Sequence, residues 1–512
     1  MYNNPWRFRF LRNNNIERRN NNVEKVYLCI DKLIDYAVKN LSLSKKDVDY
    51  ARNSIFNLFG LNSYVVENEV DVKDSTPSNL LREFNAAAIS ANLYEDYEAE
   101  YYLDQIMGFL TLMPSQVEDK FYELVKNESS VAATEWFYDY SVKSDYVKKE
   151  KLDQNPRFDS EGLVVTINKA KPEFRDAKKA QAGNSVKGGY PKCTICHANE
   201  GFGGRSKKTL RSIDMTLDGQ KWFWQFSPYG YFYQHGIAVN YEHTPMHVDR
   251  GTFDRLMDFV DLFPHWFIGC NAALPRIGGS VLAHDHYQGG GEILPMHKAK
   301  ARMTLVNKAY PTVFVEIVEW PGTVVRVVSF DRKAIVEVSD LIREKWVNYE
   351  NKALDIIAKD NEGVHSAISP TVVKTDRGYE MSIIFRNNMV SEQYPDGIFH
   401  AHPEFHVIKK ESIGLIEAQG LFILPGRLEK ELTDMKYMIN ENKPLSPEMA
   451  DFKMIYDEII ALCNNDYSIA NIERAMMKEL GSVCYRILEN TAVFKDNQLT
   501  VDFMKDLGWN LE

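Results

Sequence analysis

Apolar positions recur along this chain with two different periods, and the change of period divides it. From Val23 to about Gln154 the spacing is helical: Val26, Ile30, Leu33, Ile34 and Ala37 fall on one stripe, as a helix burying a single face requires. Thr76 ahead of Pro77, or Ser78 one step later, offers a helix start before Leu80 and Leu81. Near Asn155 the texture changes to short runs rich in β-branched and aromatic residues. Leu163 to Ile167, Trp222 to Phe226, Ile237 to Asn240, Pro311 to Val318 and Val324 to Val328 read as strands. Helical stretches intervene, Thr252 to Leu262 and Ser339 to Lys359, and helical periodicity returns after about Leu424. The pattern predicts an α+β body of mainly antiparallel sheet between helical flanks.

Composition narrows the class. A chain of 512 residues with 44% hydrophobic and 12% aromatic content folds rather than stays disordered. A net charge of -11 argues against a broad nucleic-acid footprint, which needs a basic surface. No apolar run reaches about 18 residues, so no membrane span is expected, and no secretory signal pattern is visible. Six cysteines in so long a chain form no disulfide framework, and a reducing, cytoplasmic setting is the simplest. Residues 1–22 carry eight asparagines and five arginines against Glu17, the composition of a disordered basic leader.

The densest chemistry lies in Gly278-Gly279-Ser280-Val281-Leu282-Ala283-His284-Asp285-His286-Tyr287-Gln288-Gly289-Gly290-Gly291. In an extended strand His284, His286 and Gln288 share a face while Asp285 and Tyr287 point away. Two imidazoles and an amide beside glycines, which let a backbone approach a ligand closely, suit a phosphate. A neutral imidazole attacks phosphorus, and an amide holds a phosphoryl oxygen without activating water. Two structural histidines at a strand end are the competing reading, which the glycines, Gln288 and the other clusters outweigh. Cys193 and Cys196 form a Cys-x-x-Cys knuckle that supplies two of zinc's four ligands, with His243 and His284 as candidates for the others. A redox dithiol and two unrelated buried thiols stand as alternatives. His400, His402, Glu404 and His406 would share a strand face if Pro403 allowed it, either as a metal site or as structural histidines. His284-x-His286 and His400-x-His402 together suggest an internal duplication.

From Asn155 to about Arg427 the chain resembles the class II form of the galactose-1-phosphate uridylyltransferase family, within the histidine-triad superfamily. The resemblance rests on Asn155 to Leu163, Tyr190-Pro191-Lys192-Cys193-x-x-Cys196, Gly278 to Gly290, and Gly397 to Glu404. It implies two histidine-triad-like halves, 155–300 and 301–424, between a helical domain over 23–154 and a helical segment over 425–512. It also implies a ping-pong reaction in which UDP-glucose passes its uridylyl group to a histidine and galactose 1-phosphate collects it. The nucleophile falls on His286 and the accompanying amide on Gln288. A third histidine at that last position typifies hydrolytic relatives, so Gln288 fits transfer. Zinc ligands fall on Cys193, Cys196, His243 and His284, and substrate contacts on Asn271, Ser280, Arg157 and Lys410. No organic cofactor, nucleic acid or membrane is implied, and the helical flanks suit a homodimer. The class I form has Pro where Asp285 stands here, and its second metal uses a histidine that this chain lacks between His365 and His400.

Two other readings use the same features. A histidine-triad phosphorylase or hydrolase of nucleotide sugars or dinucleoside polyphosphates would employ the same strand. A zinc-stabilised, non-catalytic binding module would use Cys193 and Cys196, against the acidic balance of the chain and the absence of a second close ligand pair.

Overall fold

The computed structural model describes residues 5–64, 70, 72–169, 189–279, 281–361 and 363–512, and of residues 5–21 the backbone alone. The chain divides into two compact units, Met1–Glu150 with His197–Ile213, and Lys151–Cys196 with Asp214–Glu512.

The first unit is helical. Its long helix Pro5–Asn40 buries Val26, Ile30, Leu33, Ile34 and Ala37, the stripe that the spacing predicts. The helical backbone extends back to Pro5, into the stretch that composition reads as a disordered leader. Thr76 caps the helix Pro77–Ser90, its hydroxyl accepting the Asn79 N–H at 3.2 Å, a contact worth about 1 kcal/mol. His197–Ile213, which the pattern puts with the sheet, belongs to this unit. Lys208 N–H donates to both carboxylate oxygens of Asp104 at 3.1 and 2.9 Å. The buried Arg211 donates to the Leu112 carbonyl at 2.7 Å and the Thr111 hydroxyl at 2.8 Å, so its buried N–H groups find acceptors.

The second unit is built on sheet. Its strands are β1 (Arg157–Ser160), β2 (Leu163–Asn168), β3 (Ile213–Leu217), β4 (Gln220–Phe226), β5 (Gly236–Asn240), β6 (Phe267–Gly269), β7 (His286–Gly290), β8 (Ala301–Val306), β9 (Phe314–Val318) and β10 (Val324–Ser329). They continue with β11 (Lys359–Asp360), β12 (Gly363–Val364), β13 (Ser366–Thr375), β14 (Gly378–Asn387), β15 (Leu421–Pro425) and β16 (Asn510–Leu511). Eleven of them form one sheet in the order β16-β8-β9-β10-β14-β13-β6-β7-β5-β4-β3.

That order contains a duplication. A meander β3-β4-β5, a helix Arg250–Leu262 and the pair β6-β7 are repeated as β8-β9-β10, a helix Arg332–Val347 and β13-β14. The halves meet where β6 and β13 pair antiparallel, Gly269 opposite Thr371. Gly269 also faces Gln288, and Thr371 faces Ser382, so Gln288, Thr371 and Ser382 stand on one sheet face. The fold is thus α+β. The repeat is carried by topology, not by paired histidine motifs: His400 and His402 lie beyond β14, in irregular chain before the short 3₁₀ segment Pro403–Phe405. The extended face proposed for His400, His402, Glu404 and His406 therefore does not form, because the chain coils at Pro403.

Other boundaries shift for local reasons. The helix expected over Ser339 to Lys359 runs instead from Arg332 to Val347, because Asp331 caps it by accepting the N–H groups of Lys333 and Ala334 at 3.0 and 3.2 Å. β9 begins at Phe314 rather than Pro311. The parallel pair β2-β15, with β1, makes a second sheet, and Leu163, Val165 and Phe422 share a core with Val324, Ile384, Ile455 and Ile487. The C-terminal helical segment ends in β16, which pairs with β8 and covers that sheet edge.

Candidate active site and metal cluster

β7 begins at His286 and carries Gln288 two residues on, so the two side chains share a face. Tyr287 takes the other face, stacked on Trp222 with centroids 4.7 Å apart, and its hydroxyl accepts from Arg255 Nε at 2.6 Å. His284 does not join His286 on that face as the extended reading predicts. Residues 282–284 form a bend before the strand, pinned where Asp285 N–H donates to Thr244 O at 2.7 Å and Met246 N–H to Leu282 O at 2.9 Å. The bend turns His284 towards the cysteines. Asp285 is fully buried, with both carboxylate oxygens lacking a hydrogen-bond partner, and burial pushes its pKa up to about 6.

The His286 ring is 4% exposed. Its Nδ1 lies 2.8 Å from the His284 carbonyl oxygen. A carbonyl only accepts, so Nδ1 carries the proton and Nε2 keeps its lone pair. Burial pushes the ring's pKa down to about 4, which keeps it neutral. A tethered, neutral imidazole with Nε2 unprotonated is the form a histidine nucleophile needs.

The structure gathers further groups around Gln288. His235, in the turn before β5, approaches Gln288 Oε1 with Nε2 at 3.4 Å. Its Nδ1 accepts the Tyr231 N–H at 3.3 Å. Arg157 of β1 donates to the Tyr231 carbonyl at 3.2 Å and pairs with Glu292. The sequence motif gives no hint of His235, a lone histidine in an aromatic loop.

Other predicted contacts lie elsewhere. Asn271 is buried, and its Oδ1 accepts the Leu415 N–H at 2.8 Å. Lys410 is exposed, whereas its neighbour Lys409 is buried against Glu417 at 2.6 Å and Glu411 at 3.1 Å. Ser280 lies outside the described residues. Three of the glycines lie tight against the protein's own atoms. A Cβ at Gly289 would overlap the Phe267 carbonyl, one at Gly290 the Gln234 carbonyl, and one at Gly279 would lie 2.6 Å from Asn271 Nδ2.

Cys193, Cys196, His243 and His284 place one donor atom each within 4.8 Å of one another. The Sγ atoms are 3.3 Å apart, Cys193 Sγ lies 3.3 Å from His284 Nδ1, and Cys196 Sγ lies 3.2 Å from His243 Nδ1. His284 Nε2 is 2.8 Å from the Asn240 carbonyl, so Nε2 holds the ring proton and Nδ1 is left as a donor to a metal. Hydrogen bonding from Cys193 above all, helped by His284 and His243, holds the Cys196 thiol well below its ordinary value, while the same bond and burial push Cys193 up. Two thiols and two imidazoles converging in this way fit a tetrahedral cation. His400, His402 and His406 instead lie 3.2, 3.0 and 2.9 Å from backbone carbonyls, which is the structural role.

A duplicated antiparallel sheet presents a neutral, tethered imidazole and an amide from one strand, an arrangement that the class of covalent group-transfer enzymes can use. Models of the family described as galactose-1-phosphate uridyl transferase match here, the N-terminal domain over residues 42–245 and the C-terminal domain over 259–450. A galactose-1-phosphate uridylyltransferase of Bifidobacterium longum is 53% identical, covering 96% of this chain and 99% of that protein. Proteins of the same name from Clostridium acetobutylicum and Lactococcus lactis are each 37% identical over 91% and 93% of this chain, and over 96% and 97% of their own lengths. Yeast Ap4A phosphorylase aligns structurally with a TM-score of 0.32 at 10% identity, over 63% of this chain and 89% of that one, which is too distant to bear on the fold. The chain belongs to the galactose-1-phosphate uridyl transferase family.

Proposed function

We propose that this enzyme exchanges UMP between UDP-glucose and galactose 1-phosphate through a uridylyl group carried on His286. The observation that supports this most is the ring tether: with Nδ1–H spent on the His284 carbonyl, Nε2 is a lone pair at neutral pH. In the first half-reaction Nε2 attacks the α-phosphorus of UDP-glucose. The N–P bond forms as the bond to the bridging oxygen breaks, and glucose 1-phosphate leaves with that electron pair. In the second, a phosphate oxygen of galactose 1-phosphate attacks the same phosphorus, the N–P bond breaks, and UDP-galactose departs. No proton need be taken from a water, which suits an amide at position 288 in place of an acid or base. Positive charge that develops on the ring is met by the His284 carbonyl at Nδ1.

Cys193, Cys196, His243 and His284 would hold zinc, which when bound supplies a structural cross-link of the bend ahead of β7. That bend ends on the carbonyl that orients His286, so the cluster and the nucleophile are mechanically linked. Arg157, Asn271, Ser280 and Lys410 are proposed as substrate contacts on resemblance alone. A cytoplasmic setting is proposed on the sparse, unpatterned cysteines of the sequence, and assembly as a homodimer on the helical flanks.

No described helix is long and apolar enough to cross a membrane. The test is isotope exchange. Wild type should move label between glucose 1-phosphate and UDP-glucose with galactose 1-phosphate absent. Exchange that requires both sugar phosphates together would rule out the two-step route.

A further inference from the structure

Gln288 can serve a phosphoryl group only if its NH2, and not its carbonyl oxygen, faces that group. An amide side chain has two nearly isosteric orientations, so something must choose between them. The surroundings of His235 make that choice. Its Nδ1 faces the Tyr231 main-chain N–H at 3.3 Å. A peptide N–H only donates, so Nδ1 must be the acceptor nitrogen and the ring proton must sit on Nε2. Nε2–H then points at Gln288 Oε1, 3.4 Å away. With Oε1 engaged, the NH2 is turned to the other side.

The tautomer is itself held in place. His235 N–H donates to Phe232 O at 3.1 Å, and its carbonyl accepts the Ser227 N–H at 2.9 Å. The ring stacks on Tyr231 with centroids 4.9 Å apart and packs on Phe232 at 4.6 Å. Gln234, just before it, has φ 58, which turns the chain sharply into β5. Gly230 lies close enough that a Cβ there would stand 3.2 Å from the His235 Cβ. The imidazole has little room to rotate.

We infer that His235 is a positioning residue that fixes the flip of the Gln288 amide, so that its NH2 is presented to the transferring uridylyl phosphate. This rests on the uridylyl-transfer reading and adds to it a residue outside the His-x-His-x-Gln motif. His235 touches no reacting atom and acts through Gln288. Arg157, bonded to the carbonyl of the same Tyr231, ties the turn to β1 and so supports the same geometry.

The test compares four single variants and one double variant of the full chain in the exchange assay. His235→Phe keeps the ring packing and removes both nitrogens. His235→Asn places a carbonyl near the Nδ1 position but no donor near Nε2. His235→Gln places an N–H near Nε2. Expected are losses of about 10- to 100-fold, chiefly in kcat, for Phe and Asn, with most activity restored by Gln. On a Gln288→Ala background, His235→Phe should cost no more than about 2-fold further, since the two act as a unit.

Two results would overturn the inference: His235→Phe at wild-type rate with His235→Gln impaired, which marks a packing role, or losses that multiply in the double variant. If the Phe variant fails to fold by circular dichroism, the contrast between Asn and Gln decides alone. Absence of exchange in wild type would count against uridylyl transfer itself, and is told apart from failure of the His235 role by that control.

Discussion

Gly289→Ala tests whether the strand carrying His286 and Gln288 must lie where it does. Gly289 sits between β6 and β5, opposite Ile268 and Gly236. A methyl group there would fall inside the envelope of the Phe267 carbonyl oxygen, 2.9 Å from Ile268 Cδ1 and 3.0 Å from Ile268 Cα. Two of those three atoms are backbone and cannot rotate aside. β7 must move away from β6 by roughly 0.5–1 Å to restore ordinary contact, and overpacking of this kind costs about 1–3 kcal/mol. The same displacement carries His286 and Gln288 with it, and a misplacement near 1 Å costs about 100-fold in rate. Gly322 is the control: a Cβ there has nothing nearer than Trp320 Cδ1 at 3.6 Å. Thermal melts and exchange kinetics on both variants read the outcome. Gly322→Ala should match wild type, while Gly289→Ala should melt lower and lose most of its kcat. Wild-type activity in Gly289→Ala would refute the claim that this strand's position is tightly set.

Three further outcomes follow from other contacts. Tyr287→Phe leaves the buried Arg255 Nε–H without its 2.6 Å acceptor and should lower stability by about 1–3 kcal/mol in denaturant titrations. Cys196→Ser should take bound zinc from about one per chain to near none by elemental analysis. Its stability should fall by about 3–4 kcal/mol if zinc is normally present at 100 to 1,000 times its dissociation constant. Burial holds His297 and His400 down at about 3 and about 4, against about 6.5 in an unfolded chain. Below pH 6.5 the unfolded state therefore binds more protons, and stability is full above that pH and lost progressively towards pH 4. The loss per histidine is about 1.4 kcal/mol for each pH unit within that window. Melting temperatures from pH 7 to pH 5 check the sign, and His297→Gln should flatten the slope.

Local pattern was legible where a single element decides it. The stripe of the first helix, the Thr76 cap and the strands at 163, 222, 237 and 324 follow from period and β-branching, and the Cys-x-x-Cys knuckle announces its own ligand chemistry. What sequence spacing could not supply was the bend at 282–284. Alternation along an ideal strand puts His284 beside His286, whereas hydrogen bonds from Met246 and Asp285 break the strand and send His284 to the cysteines. The long hairpin Ser366–Thr375 with Gly378–Asn387, and with it the true form of the duplication, escaped notice because both strands are buried along most of their length and lack clean alternation. His235 was invisible for another reason: its role depends on which N–H faces its Nδ1, a fact of three dimensions. The His400 cluster misled because Pro403 starts a 3₁₀ turn where an extended face was expected.

The most direct measurement bears on His286 itself. Wild-type enzyme is incubated with UDP-glucose labelled in the α-phosphate, denatured, digested and mapped by mass spectrometry. One uridylyl group per chain, acid-labile and located on the peptide bearing His286, with none on His286→Ala, is the expected result. A label on another residue, or one that persists in His286→Ala, would contradict the assignment of His286 as nucleophile.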